Sequence, residues 1–154
     1  MTSPASASAR AMRGIGAAAV IAGGLVAAVT GPLELTKGSW TAAYLVLVAG
    51  AAQILMGSAR RRWPRARGDS AGWWQFALWN LGHAGVIGGT LTGLTTIVFC
   101  GSAVLVVALV LAFLATFGVA ERSERMLLLG YRVVLVLLAV SIPVGMVLSA
   151  IRNA

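Results

Sequence analysis

The sequence holds only four acidic side chains in 154 residues, Glu34, Asp69, Glu121 and Glu124, together with one histidine, His83, and one cysteine, Cys100. Each scarcity excludes a class of chemistry. All four acids lie in connections between apolar runs, so no buried carboxylate pair is available for general acid–base work. There is no Ser/His/Asp set and no glycine-rich phosphate loop followed by a lysine. One cysteine excludes an intrachain disulfide and a CxxC motif. One histidine and one cysteine are too few ligands for a structural zinc. Cys100 itself lies in an apolar run and reads as a small packing residue, because a reactive thiol needs an electropositive, exposed setting. The chain is therefore not expected to be an enzyme, and no metal site is expected.

Charge is also missing over long stretches. From Gly72 to Ala120 no lysine, arginine, aspartate or glutamate occurs. As a single helix that stretch would be about 73 Å long. The hydrocarbon core of a bilayer is only ~30 Å thick, so the stretch is expected to cross twice, as a hairpin. Charged residues make up 10% of the chain and hydrophobic residues 59%. Soluble domains carry about 25% charge. The apolar residues come in blocks suited to membrane spans, which predicts an all-α, polytopic transmembrane helical bundle.

Five spans are expected, at about 14–31, 39–58, 72–89, 97–119 and 126–151, forming a single bundle over 14–152. Residues 1–13 are expected to be a disordered cytoplasmic tail. The tail carries Arg10 and Arg13 with no acid ahead of an apolar stretch, which is the pattern of a signal peptide. That stretch exceeds a typical signal core, so the first span is expected to be retained. Gly31-Pro32 reads as a helix breaker. Trp40 and Tyr44 open the second span, and Trp73 and Trp74 the third, as interfacial anchors. Thr90–Thr96 supplies the hairpin turn, and Pro143 is expected to kink the fifth span.

The net charge of +8 would suit nucleic acid, but the arginines lie between the spans and no soluble basic surface exists to read bases. They serve orientation instead. With the N-terminus inside, the inner side holds Arg10, Arg13, Arg60, Arg61, Arg62, Arg65, Arg67, Arg122 and Arg125. Arg132 can snorkel to the same face, leaving Lys37 and Arg152 outside. This asymmetry predicts an N-in, C-out protein of the cytoplasmic membrane.

Polar groups inside spans are costly and normally face the bundle interior. Gln53, Gln75, Asn80, His83 and Arg132 all fall in the expected inner half of the bilayer, as an intramembrane polar cluster. Asn80 and His83 share a helix face at i, i+3, and Trp79, four residues before His83, can cover its ring. Gly82, Gly85, Gly88 and Gly89 leave the third span smooth, and Gly85-x-x-x-Gly89 has the spacing for close helix approach. Two readings follow. One is a tight helix seam with Asn80, Gln53 and His83 hydrogen-bonded across it; the other is a proton or ligand site centred on His83, whose neutral imidazole can ligate haem iron alone or with a methionine such as Met56. Arg132, with Arg60–Arg67, could instead contact an anion or a lipid headgroup.

Gly38-Ser39-Trp40, Ala43 to Val48, Gly50 and Gln53 resemble a recurrent second span of small actinobacterial multi-pass membrane proteins. Trp79-Asn80-Leu81-Gly82 resembles the WNxG-type third helix of the catalytic subunits of haem–copper oxidases and nitric-oxide reductases. In that superfamily the second helix opens with a His-Gly pair whose histidine ligates low-spin haem. Here Lys37 stands before Gly38, and the binuclear-centre histidines have no counterparts. The resemblance, over about forty residues, thus implies a truncated relative of the helix 2–3 unit without its catalysis.

The resulting expectation is a non-catalytic accessory or scaffold subunit. Its expected partners are the lipid bilayer and another membrane protein or a second copy, met through the glycine-rich third span. The alternatives are a haem- or quinone-associated redox accessory protein and a small oligomeric transporter lined by Gln53, Asn80 and His83.

Overall fold

A computed structural model describes residues 5–63, 70–117 and 124–152, and within them every regular element is helical. The helices are α1 (Ala5–Thr30), α2 (Gly38–Tyr44), α3 (Ala52–Arg62), α4 (Ser70–Thr92), α5 (Thr95–Leu114) and α6 (Arg125–Arg152). A π-helical segment, Leu45–Ala51, joins α2 to α3, so that Gly38–Arg62 is one continuous helix. Four segments are long and apolar enough to cross a membrane: Ala7–Thr30, Gly38–Arg62, Thr95–Leu114 and Arg125–Ile142. Helix α4 is not among them. It is 23 residues long and uncharged, but Gln75, Asn80, His83 and its glycines dilute its apolar content. The chain divides into two compact units, Met1–Phe76 and Ala77–Ala154.

The first unit is an antiparallel pair, α1 against the Gly38–Arg62 helix, held by small residues. Ala9, Gly16, Gly23 and Thr30 recur every seven positions along α1. Gly57 lies against the Ala9 carbonyl, Gly50 against Gly16, the Ala42 carbonyl and Leu45 against Gly23, and Gly38 against Thr30. A Cβ on Gly16 would stand 2.9 Å from the Gly50 carbonyl oxygen, so the backbones touch as they do in small-residue membrane pairs. A seven-residue repeat keeps one seam facing the partner over the whole length. The wider turns of the π segment change the phase of the second helix partway along it, an arrangement typical of π insertions.

Two expectations for this unit are corrected. The segment expected to be a disordered tail is helical from Ala5, with Ala9 and Met12 fully buried in the pair. As expected, α1 ends at Thr30, immediately before Gly31-Pro32. The Leu35 N–H reaches back to the Thr30 carbonyl (3.0 Å), and Glu34, at φ 49°, takes the left-handed position that usually falls to glycine. The second helix runs to Arg62 rather than Ser58, carrying Arg60, Arg61 and Arg62 in its last turn, where cations suit the helix dipole.

In the second unit, the connection between α4 and α5 is shorter than the expected Thr90–Thr96 turn. Gly93 at φ 74° ends α4, and the Leu94 N–H bonds the Gly89 carbonyl at 2.9 Å. This is the Schellman closure, which needs a left-handed residue one place before the donor. Helix α5 presents Leu105, Ala108, Leu109 and Ala112 as buried positions, and α6 presents Leu128, Tyr131 and Leu135; these two helices pack together. Helix α5 ends at Leu114, five residues short of the expected 119, and α6 continues through position 143.

Candidate functional site

The polar residues expected to form one cluster divide between the units: Gln53 and Gln75 belong to the first, Asn80, His83 and Arg132 to the second. In the first unit the centre is Gln75, which is 1% exposed. Its Oε1 accepts from Arg60 Nε at 2.9 Å, and its Nε2 donates to Met56 Sδ at 3.2 Å. Gly72 makes this possible: a Cβ there would collide with Ser8 Oγ and lie 2.8 Å from Arg60 Nη1. The start of α4 is thereby held against the end of α3 and the first turns of α1. Gln53 is equally buried, and among the described residues its Nε2 has no hydrogen-bond partner.

In the second unit His83 is buried, its ring edge-on to Trp79 at 4.5 Å between centroids and 84° between planes. The cover expected from the i, i+4 spacing is present. Asn80 is half-buried on the same helix.

Three of the four expected packing glycines meet α5. A Cβ on Gly82 would overlap Leu105 at 2.7 Å, on Gly85 the Gly101 Cα at 3.0 Å, and on Gly89 the Val98 nitrogen at 2.7 Å. Gly88 is the exception, with open space beside it. It lies on a different helix face, so no seam forms there. The smooth face expected to meet a partner is occupied by the chain's own next helix.

Arg132 turns toward the C-terminal end of α5. Its Nε donates to Thr116 Oγ1 at 2.9 Å and its Nη2 to the Thr116 carbonyl at 3.2 Å. Its guanidinium lies over the rings of Phe117 (5.2 Å) and Phe113 (6.0 Å). A cation at carbonyls past a helix end is stabilised by the dipole and by the hydrogen bonds. Replacing Arg132 with methionine is expected to lower the unfolding free energy by about 1–2 kcal/mol. Thr116→Val should cost somewhat less, and the double variant little more than Arg132→Met alone; additive losses in equilibrium unfolding would contradict a shared bond.

Sequence reasoning missed several residues. The Ala9, Gly16, Gly23, Thr30 repeat was visible at a spacing of seven but was masked by the general abundance of alanine and glycine. Gly101 is the counterpart of Gly82 and Gly85, and Thr116 completes the Arg132 contact; neither carries a signal in isolation, while Met56, weighed in the sequence as a haem ligand, accepts from Gln75. Among the described residues, no three His, Cys, Asp or Glu side chains gather as a metal site. Comparison with protein-family models, curated proteins and solved structures finds no match.

Proposed function

We propose that the chain is a five-span, N-in, C-out protein of the cytoplasmic membrane that serves as a non-catalytic accessory or scaffold subunit. One observation carries the reading. Two polar side chains of the apolar segments are spent on packing within their own unit: Gln75 on Arg60 and Met56, Arg132 on the end of α5. Such contacts fix helices and leave neither of these two side chains available for a reaction. Helix α4 is the third of these spans, added to the four more apolar segments because its charge-free length, about 34 Å at the α-helical rise, suffices to cross. Its polar groups and glycines are tolerated in a membrane when they face protein rather than lipid.

The haem reading asks for more. His83 is 4% exposed with Trp79 against its ring, so a macrocycle at the imidazole would require the covering atoms to move. The separating experiment is purification in mild detergent with an absorbance scan. A protein partner or a second copy should co-elute with the chain, with no Soret band before or after adding haem. A Soret band lost in His83→Ala would overturn the scaffold reading in favour of the redox one.

A further inference from the structure

The outer surface at one end of the first unit is strongly basic. The Ala9 carbonyl and Arg13 Cγ both lie 2.9 Å from the Cβ position of Gly57, which sets the start of α1 beside the end of α3. Arg10, Arg13, Arg61 and Arg62 are all exposed there. Among the described residues of this unit the sole acid is Glu34, which follows α1 at the opposite end of the pair. Helix electrostatics accounts for the arginines at the end of α3. It does not account for Arg10 and Arg13, near the start of α1, where the dipole favours anions. At the same end, Gly72 sits against Ser8 and Arg60, and the next two residues, Trp73 and Trp74, are 44% and 66% exposed. Exposed tryptophans at a helix end mark the level of the membrane–water interface. The guanidiniums therefore stand at headgroup depth, with planar forks suited to phosphate oxygens.

We infer that Arg10, Arg13, Arg61 and Arg62 form a docking surface for anionic phospholipid headgroups of the bilayer. The inference rests on the membrane reading above and adds a lipid preference to it. Each guanidinium near a negatively charged surface adds attraction that falls off within a Debye length.

The test uses the full chain reconstituted in phosphatidylcholine vesicles, with tryptophan fluorescence quenched by a small fraction of brominated lipid. Brominated phosphatidylglycerol should quench more steeply than the same fraction of brominated phosphatidylcholine. The preference should weaken in high salt, fall by about fivefold or more in Arg61→Gln/Arg62→Gln, and vanish when Arg10→Gln/Arg13→Gln are added. Arg125→Gln, in the second unit, should leave it unchanged. The vesicles carry the anionic lipid in both leaflets, so a change of insertion direction cannot mimic the loss. Equal quenching by the two lipids, a preference retained in the fourfold variant, or one abolished by excess inorganic phosphate but not by equivalent chloride overturns the docking surface. Absence of quenching by either lipid instead removes the membrane reading beneath it.

Discussion

Gly101→Ile is expected to cost about 3 kcal/mol, at the upper end of the usual range for overpacking. A Cβ at position 101 would lie 2.7 Å from the Val86 nitrogen, 2.8 Å from the Gly82 carbonyl oxygen and 3.0 Å from the Gly85 carbonyl carbon. All three are backbone atoms of α4, and none can rotate away. The two helices must separate, and Leu105 then loses its seat on Gly82. Gly88 provides the contrast, because nothing lies within 4 Å of its Cβ position. Gly88→Ala should be neutral or gain up to about 1 kcal/mol from helix propensity. Equilibrium unfolding in mixed micelles with increasing dodecyl sulfate reads both variants. An unshifted midpoint for Gly101→Ile would show that α4 and α5 do not meet at this glycine.

Gln75→Leu is the second large expectation, a loss of about 2 kcal/mol. The substitution keeps an apolar volume in a buried place but strips the acceptor from Arg60 Nε, 2.9 Å away, and the donor from Met56 Sδ. Removing one partner of a hydrogen bond to a charged group costs more than removing both. Arg60→Met in the Gln75→Leu background should therefore recover most of the loss. The double-mutant cycle measures the coupling directly. Additive single losses would mean that the bond does not hold α4 to α3.

The legible part of the molecule was what depends on composition and length. The charge-free run from Gly72 to Ala120 required two helices and a turn, and α4 and α5 with Gly93 between them supply both. The spacing of Trp79 and His83 gave their ring contact, since four residues bring side chains onto one helix face. Contacts between helices were less legible. Gly85 and Gly89 announced a close approach, but not that Gly101 and Val98 would fill it, because small-residue motifs specify proximity without naming the neighbour. The grouping of Gln53, Gln75, Asn80, His83 and Arg132 rested on depth alone, and depth does not fix azimuth. Arg132 accordingly faces Thr116, and Gln75 faces Arg60. The left-handed turn at Glu34 had no local sign at all, since glutamate is seldom chosen for that conformation.

The central claim is that α4 crosses the bilayer as the third of five spans, and the lone cysteine makes it directly testable. In a Cys100→Ser background, single cysteines are placed at Lys37, Arg61 and Gly93 and treated in intact cells with a membrane-impermeant maleimide. Lys37→Cys and Gly93→Cys should label from outside, and Arg61→Cys only after permeabilisation. Labelling of Arg61→Cys and Gly93→Cys from the same side would show that α4 does not cross, and would leave only the four more apolar segments as candidate spans.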